Sequence, residues 1–181
     1  MALDFPTSPT LNQVYTSGNK SWVWNGNGWA ANNTIGTTLT LTDTQTLTNK
    51  TLVSVQELWT ISTASATGTI NYDINTQSIL YYTSNASANF TLNFRASSSA
   101  TLSSILPVGQ SVAVSFVNTN GSTPYYPTAF TIDGTPITPK WLGGIAPTAG
   151  NASSLDLYTF EIIKTAVTPT YQILASQAKY A

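Results

Sequence analysis

The sequence predicts an all-β protein in three consecutive parts: a small N-terminal β-hairpin module (1–35), an extended threonine-rich shaft (36–58) and a C-terminal β-sandwich of jelly-roll type (59–181). Three observations carry this prediction. Apolar and polar residues alternate with a period of two, as in Phe90, Leu92 and Phe94 or Val112, Val114 and Phe116, and that is the period at which a strand turns successive side chains to opposite faces. Asn-Gly and Asp-Gly pairs punctuate these runs, which is the short-range signal of a hairpin. Threonine supplies 31 of the 181 residues, and β-branched side chains fit a pleated surface better than a helix.

In the first module, Pro6 and Pro9 hold the entry extended, and Tyr15 leads into the turn signal Ser17-Gly18-Asn19. Trp22, Val23 and Trp24 follow, then Asn25-Gly26-Asn27-Gly28 and Trp29. Two or three short strands are expected, with Trp22 and Trp24 on one face joined by Tyr15 or Trp29 across the hairpin. Rings bury much area per residue, which is how so small a unit holds together. The same tryptophans suit a miniature core, a docking face toward another subunit, or a platform for stacking sugars.

From Thr38 to Thr48 threonine occupies every even position, and Leu39, Leu41, Asp43, Gln45, Leu47 and Asn49 occupy the odd ones. A single ribbon of this kind buries too little surface to order itself. It is either an intertwined shaft of several identical chains or a flexible Thr-rich linker. Fully extended, the stretch Gly36 to Leu52 spans on the order of 55 Å.

The sandwich opens with a small-residue loop, Ser62 to Gly68, followed by strand-length runs at 77–83, 89–95 and 111–118. Residues 97–106 hold one helical turn, ended by Pro107 and Gly109. Pro124 and Pro127 keep Pro124-Tyr125-Tyr126-Pro127 out of a central strand. Asp133-Gly134 marks a tight hairpin. The run Leu155 to Lys164 is apolar on both faces, which places it centrally, and Tyr171 to Ala175 closes the domain.

Composition narrows the function classes. Six basic and seven acidic residues give a net charge of −1 with no basic cluster, which argues against nucleic-acid partners and against electrostatic attachment to membranes. No apolar run is long enough to insert into a bilayer as a helix. Cysteine and histidine are absent, so no Ser-His-Asp, Cys-His or Cys/His metal arrangement exists, and no cofactor is indicated. The seven acids (Asp4, Asp43, Glu57, Asp73, Asp133, Asp156 and Glu161) are scattered singly, unlike the paired carboxylates of a glycosidase. Glu161 is expected to point outward or to pair with Lys164 or Lys140. The expectation is that the chain is not an enzyme.

Three stretches resemble virion structural and tail-fibre proteins of marine bacteriophages of the cyanophage type. They are FPTSPTLNQVYTSGNKSWVWNGNGW, TLTDTQTLTNKTL, and the segment running from PVGQSVAVSF to LYTFEIIK. The resemblance implies a non-enzymatic, homotrimeric component of a virion assembled in the host cytoplasm, with itself and other virion proteins as partners. In such a trimer Leu39, Leu41 and Leu47 face the shared axis, with Asp43 and Gln45 as a register-setting polar layer, while Tyr15, Trp22, Trp24 and Trp29 dock on the particle. The implied role is a short fibre on tail, neck or head, or a head decoration protein that cements the capsid. The alternative is a carbohydrate-binding adhesin whose Tyr125, Tyr126 and Trp141 face host surface glycans.

Overall fold

The structure, a computed structural model, describes residues 4–18, 20–32, 54, 56–168 and 170–181. The shaft positions Leu39, Leu41, Asp43, Gln45 and Leu47 lie outside the described residues. The chain divides into two compact units, Met1–Val53 and Ser54–Ala181, and the all-β expectation holds for both.

The first unit is one antiparallel sheet of β1 (Val14–Ser17), β2 (Lys20–Trp24) and β3 (Trp29–Asn32), in chain order. Its second turn is built by Asn25, whose side-chain oxygen accepts the backbone N–H groups of Asn27 at 2.9 Å and Gly28 at 2.8 Å. Gly26 takes the positive φ of 97° that this turn requires.

The second unit pairs a six-stranded sheet with a four-stranded one. Its strands are β4 (Trp59–Ser65), β5 (Gly68–Asp73), β6 (Ile79–Asn85), β7 (Phe90–Arg95), β8 (Ser111–Thr119), β9 (Pro127–Ile132), β10 (Thr135–Pro136), β11 (Lys140–Trp141), β12 (Leu155–Ala166) and β13 (Thr170–Tyr180). The larger sheet runs β11-β13-β12-β8-β6-β4 and the smaller β10-β9-β7-β5. One short helix, α1 (Leu102–Ile105), fills the predicted helical turn. Inward-facing rings interdigitate between the sheets. Phe160 of β12 lies 5.0 Å from Phe94 of β7 and 5.6 Å from Phe130 of β9, centroid to centroid, and Phe90 lies 5.4 Å from Phe116.

The strand connections differ from a jelly roll, which is built from antiparallel pairs. From β4 to β9 the chain steps to the opposite sheet at every strand. As a result β4, β6 and β8 pair parallel in one sheet, and β5, β7 and β9 pair parallel in the other. Parallel neighbours need a crossover connection, and here a strand of the facing sheet provides it. Only β10, β12 and β13 add antiparallel pairs. Period-two alternation states which side of a strand is buried and leaves its neighbour open, so the sequence could not distinguish the two connectivities.

Three further expectations are corrected. Ser62 to Ser65 belongs to β4, because small hydroxyl residues fit the pleat and are tied to β6 by Thr83 Oγ1 and Ser84 Oγ, which donate to the carbonyls of Ser62 and Thr63. The last strand continues past Ala175 to Tyr180, paired along the full length of β12. Lys164 is three positions from Glu161, hence on the opposite face of β12. It is buried, and its Nζ donates to the Ser103 carbonyl and hydroxyl.

Candidate functional site

In the N-terminal unit the register sets Tyr15 opposite Trp22 and Trp24 opposite Trp29, so all four predicted side chains share one face of the sheet. Phe5, which sequence reasoning missed, sits among them. Its ring centroid is 5.1 Å from Tyr15, 5.4 Å from Trp22 and stacked at 5.2 Å on Trp29. The available signal was Pro6, which restricts the residue before it to extended backbone and so lets Phe5 lie along the sheet. Every ring of the five is half-buried, and no described residue of this unit is fully buried. Three strands with an apolar face meet the usual minimum for a self-standing sheet, and Phe5 packs onto that face while leaving the rings half-buried.

The three candidate glycan-facing residues do not form one platform. Tyr125, Tyr126 and Trp141 are all half-buried against the core. Trp141 packs edge-on at 5.7 Å from Phe130 and 6.3 Å from Phe160. Tyr126 and Trp141 line one hollow of about 440 Å³ with Phe130, Ile137 and several prolines, and Tyr125 is not among its lining residues. Tyr125 is instead fixed through its backbone. Its N–H donates to Asn120 Oδ1 at 3.0 Å, and its carbonyl accepts from Asn118 Nδ2 at 3.2 Å.

Those asparagines belong to a buried polar cluster that the sequence did not announce. Asp156 is fully buried at the end of the sandwich. One carboxylate oxygen accepts from Asn120 Nδ2 at 2.8 Å and the Asn151 N–H at 2.9 Å, and the other accepts from Gln177 Nε2 at 3.2 Å. Burial raises its pKa above the ordinary carboxylate range, against the hydrogen bonds from Asn151, Gln177 and Asn120 and the charge of Lys179. Burial, with the neighbouring Asp156 charge, also pushes the Tyr158 hydroxyl up. Gly150 closes the cluster: a Cβ there would stand 2.7 Å from both Asn120 Nδ2 and the Tyr125 carbonyl. With donors on each oxygen of Asp156, the cluster ties the loop around Asn151 to β8, β12 and β13.

Two further acids, Asp133 and Asp73, are engaged in structure. Asp133 opens the β9–β10 turn with φ 51°, followed by Gly134 at 80°, the two positive values of a type I′ hairpin. Its carboxylate also accepts the Leu102 N–H at the start of α1. Asp73 pairs with Arg95. Among the described residues no three acidic, histidine or cysteine side chains converge as metal ligands.

The outward face of the four-stranded sheet is a closed polar ladder. Asn93 Nδ2 donates to Asn71 Oδ1 at 2.8 Å, and Asn93 Oδ1 accepts from Thr131 Oγ1 at 2.7 Å and from the Gly134 N–H at 2.9 Å. The Asp73–Arg95 pair extends it by one row.

No protein-family profile, curated protein or solved structure matches this chain.

Proposed function

We propose that the chain is a non-enzymatic structural component of a bacteriophage particle, a short homotrimeric appendage. In this reading its N-terminal sheet docks on other virion proteins and its sandwich faces outward. The observation that carries it is the N-terminal unit itself: a lone sheet layer with five half-buried rings on one side. A cluster of incompletely buried rings on one face is the kind of surface that marks a contact with another protein. Segment 36–52, which alternates strictly from Thr38 to Asn49, is in this reading the part that joins three chains, and the phage-like phrases of the sequence supply the setting. In particles carrying Trp22→Ala with Trp29→Ala, the protein is expected to be lost from purified virions while its soluble form accumulates. Undiminished incorporation of the double variant would remove the docking role, and absence of the unmodified protein from purified particles would remove the virion role.

A second reading, a host-glycan adhesin, rests on the hollow that Tyr126 shares with Trp141, since apolar ring faces stack on sugars. A glycan-array screen of the full chain separates it from the purely structural role. Binding that Tyr126→Ala abolishes favours the adhesin, and an empty array leaves the structural role alone.

A further inference from the structure

The outward face of the six-stranded sheet is unlike that of its partner sheet. Reading across the strands by register, one row runs Ile61, Tyr81, Val117, Leu157 and Ala178, and the next runs Trp59, Ile79, Ser115, Thr159 and Ser176. Leu155 and Tyr180 flank the first row, and Leu174 lies beyond the second. Trp59 and Tyr81 touch edge to face at 6.3 Å. These are outward positions, yet the first row is apolar across five strands, with Val117 buried within it, and the second sets Ser115, Thr159 and Ser176 beside Trp59 and Ile79. Trp59, Ile61, Leu174 and Tyr180 are 46%, 55%, 48% and 53% exposed, and no strand residue on the outward side of the four-stranded sheet is a large exposed apolar one. With its half-buried neighbours the patch offers on the order of 600 Å² of apolar surface, at or above the largest patch of an ordinary monomer and close to one side of a standard interface, about 800 Å².

Two features identify the occupant. The face carries two acids and one base, Glu57, Glu161 and Lys140, which line one hollow beside Leu174; Glu161 and Lys140 are each set opposite Leu174 by the strand register and so about 10 Å apart. They form no ion pair with each other, and among the described residues the one ion pair is Asp73–Arg95. Around a closed ring of copies the Lys140 of one chain faces the acids of its neighbour, so that unlike charges meet at every contact. The edge strand β4, sequence WTISTAS, has no charged residue and no proline, and those are the usual devices that keep an edge from pairing with another chain. We propose that the outward face of the six-stranded sheet is the surface by which the sandwich binds a second copy of this chain. The proposal rests on the homo-oligomer reading above and adds where the sandwiches meet.

The chain contains no cysteine, so a single introduced thiol reports on one place. Full-length Leu174→Cys and Ile61→Cys are compared with Thr69→Cys, an exposed position on the outward side of the four-stranded sheet, for rate of maleimide labelling. The mass of each sample is taken by light scattering. The expected result is a mass of several chains, with both reporters labelled at least tenfold more slowly than Thr69→Cys. A mass of several chains with all three labelled alike overturns this surface and leaves self-assembly standing, its contacts elsewhere. A mass of one chain overturns both, whether the reporters are open or covered. Agreement of two reporters guards against one substitution disturbing its own site.

Discussion

The two outward faces of the sandwich are made from the same kinds of strand and solve opposite problems. On the four-stranded sheet, the Asn71–Asn93–Thr131 row and the Asp73–Arg95 pair satisfy one another within the face, so water can cover it at no loss. On the six-stranded sheet, Ile61, Tyr81, Val117 and Leu157 follow each other across four strands, and only the Tyr81 hydroxyl among them can bond to water. The difference teaches that a neutral, hydroxyl-rich chain does not have a uniformly neutral surface. More of its polarity is spent on one side, and the other side keeps exposed apolar residues at Trp59, Ile61, Leu174 and Tyr180.

Both faces stand on one shared interior, so the largest break should come there. Phe160 contacts Phe94, Phe130 and Trp141, and Phe160→Ala is expected to cost about 3–5 kcal/mol in urea unfolding. A loss below about 1 kcal/mol would mean that the sheets do not pack as described. On the polar face, Asn93→Ala strands the Asn71 oxygen, the Thr131 hydroxyl and the Gly134 N–H together. Asn71 and Gly134 are exposed, so water takes up the freed groups, and the change should cost about 0.5–1.5 kcal/mol, read as a shift of the same midpoint.

The buried Asp156 offers a pH handle on the end of the sandwich. An unfolded aspartate titrates near pH 3.9 (about the model-peptide value), and burial raises the folded value above that. The folded chain therefore holds this proton more tightly. The resulting stability is fully present below the unfolded value and is lost as pH rises through the folded one. Thermal melts across this range should show that slope in the parent chain and a flatter one in Asp156→Asn, and identical slopes would contradict the assignment. The smallest effect is expected from Arg95→Ala. This pair is partly exposed to solvent and should weaken further in salt, so the midpoint is expected to move least here.

Much of this was legible in the sequence. Asp133-Gly134 and Asn25-Gly26 were read as turns and are turns, because few other residues take positive φ so readily. The runs at 89–95 and 111–118 were read as strands, and the doubly apolar run from Leu155 was read as central, between what prove to be β8 and β13. Strand partners were not legible, since alternation carries no information about which strand lies alongside. The Asp156 cluster was not legible either. Its members at 118, 120, 151, 156 and 177 are ordinary polar residues in a chain where Thr, Ser and Asn alone make up 66 of 181, and only the fold brings them together. The apolar outer face was half visible: Leu155, Leu157 and Ile163 announced a second apolar side to β12, without revealing that it continues across the sheet to Ile61.

Self-assembly is the claim on which the rest depends, and the mass of the purified full-length chain in solution, by size exclusion with light scattering, addresses it directly. The account predicts three times the 19.3 kDa of one chain. A mass of 19.3 kDa that does not rise with protein concentration would contradict it.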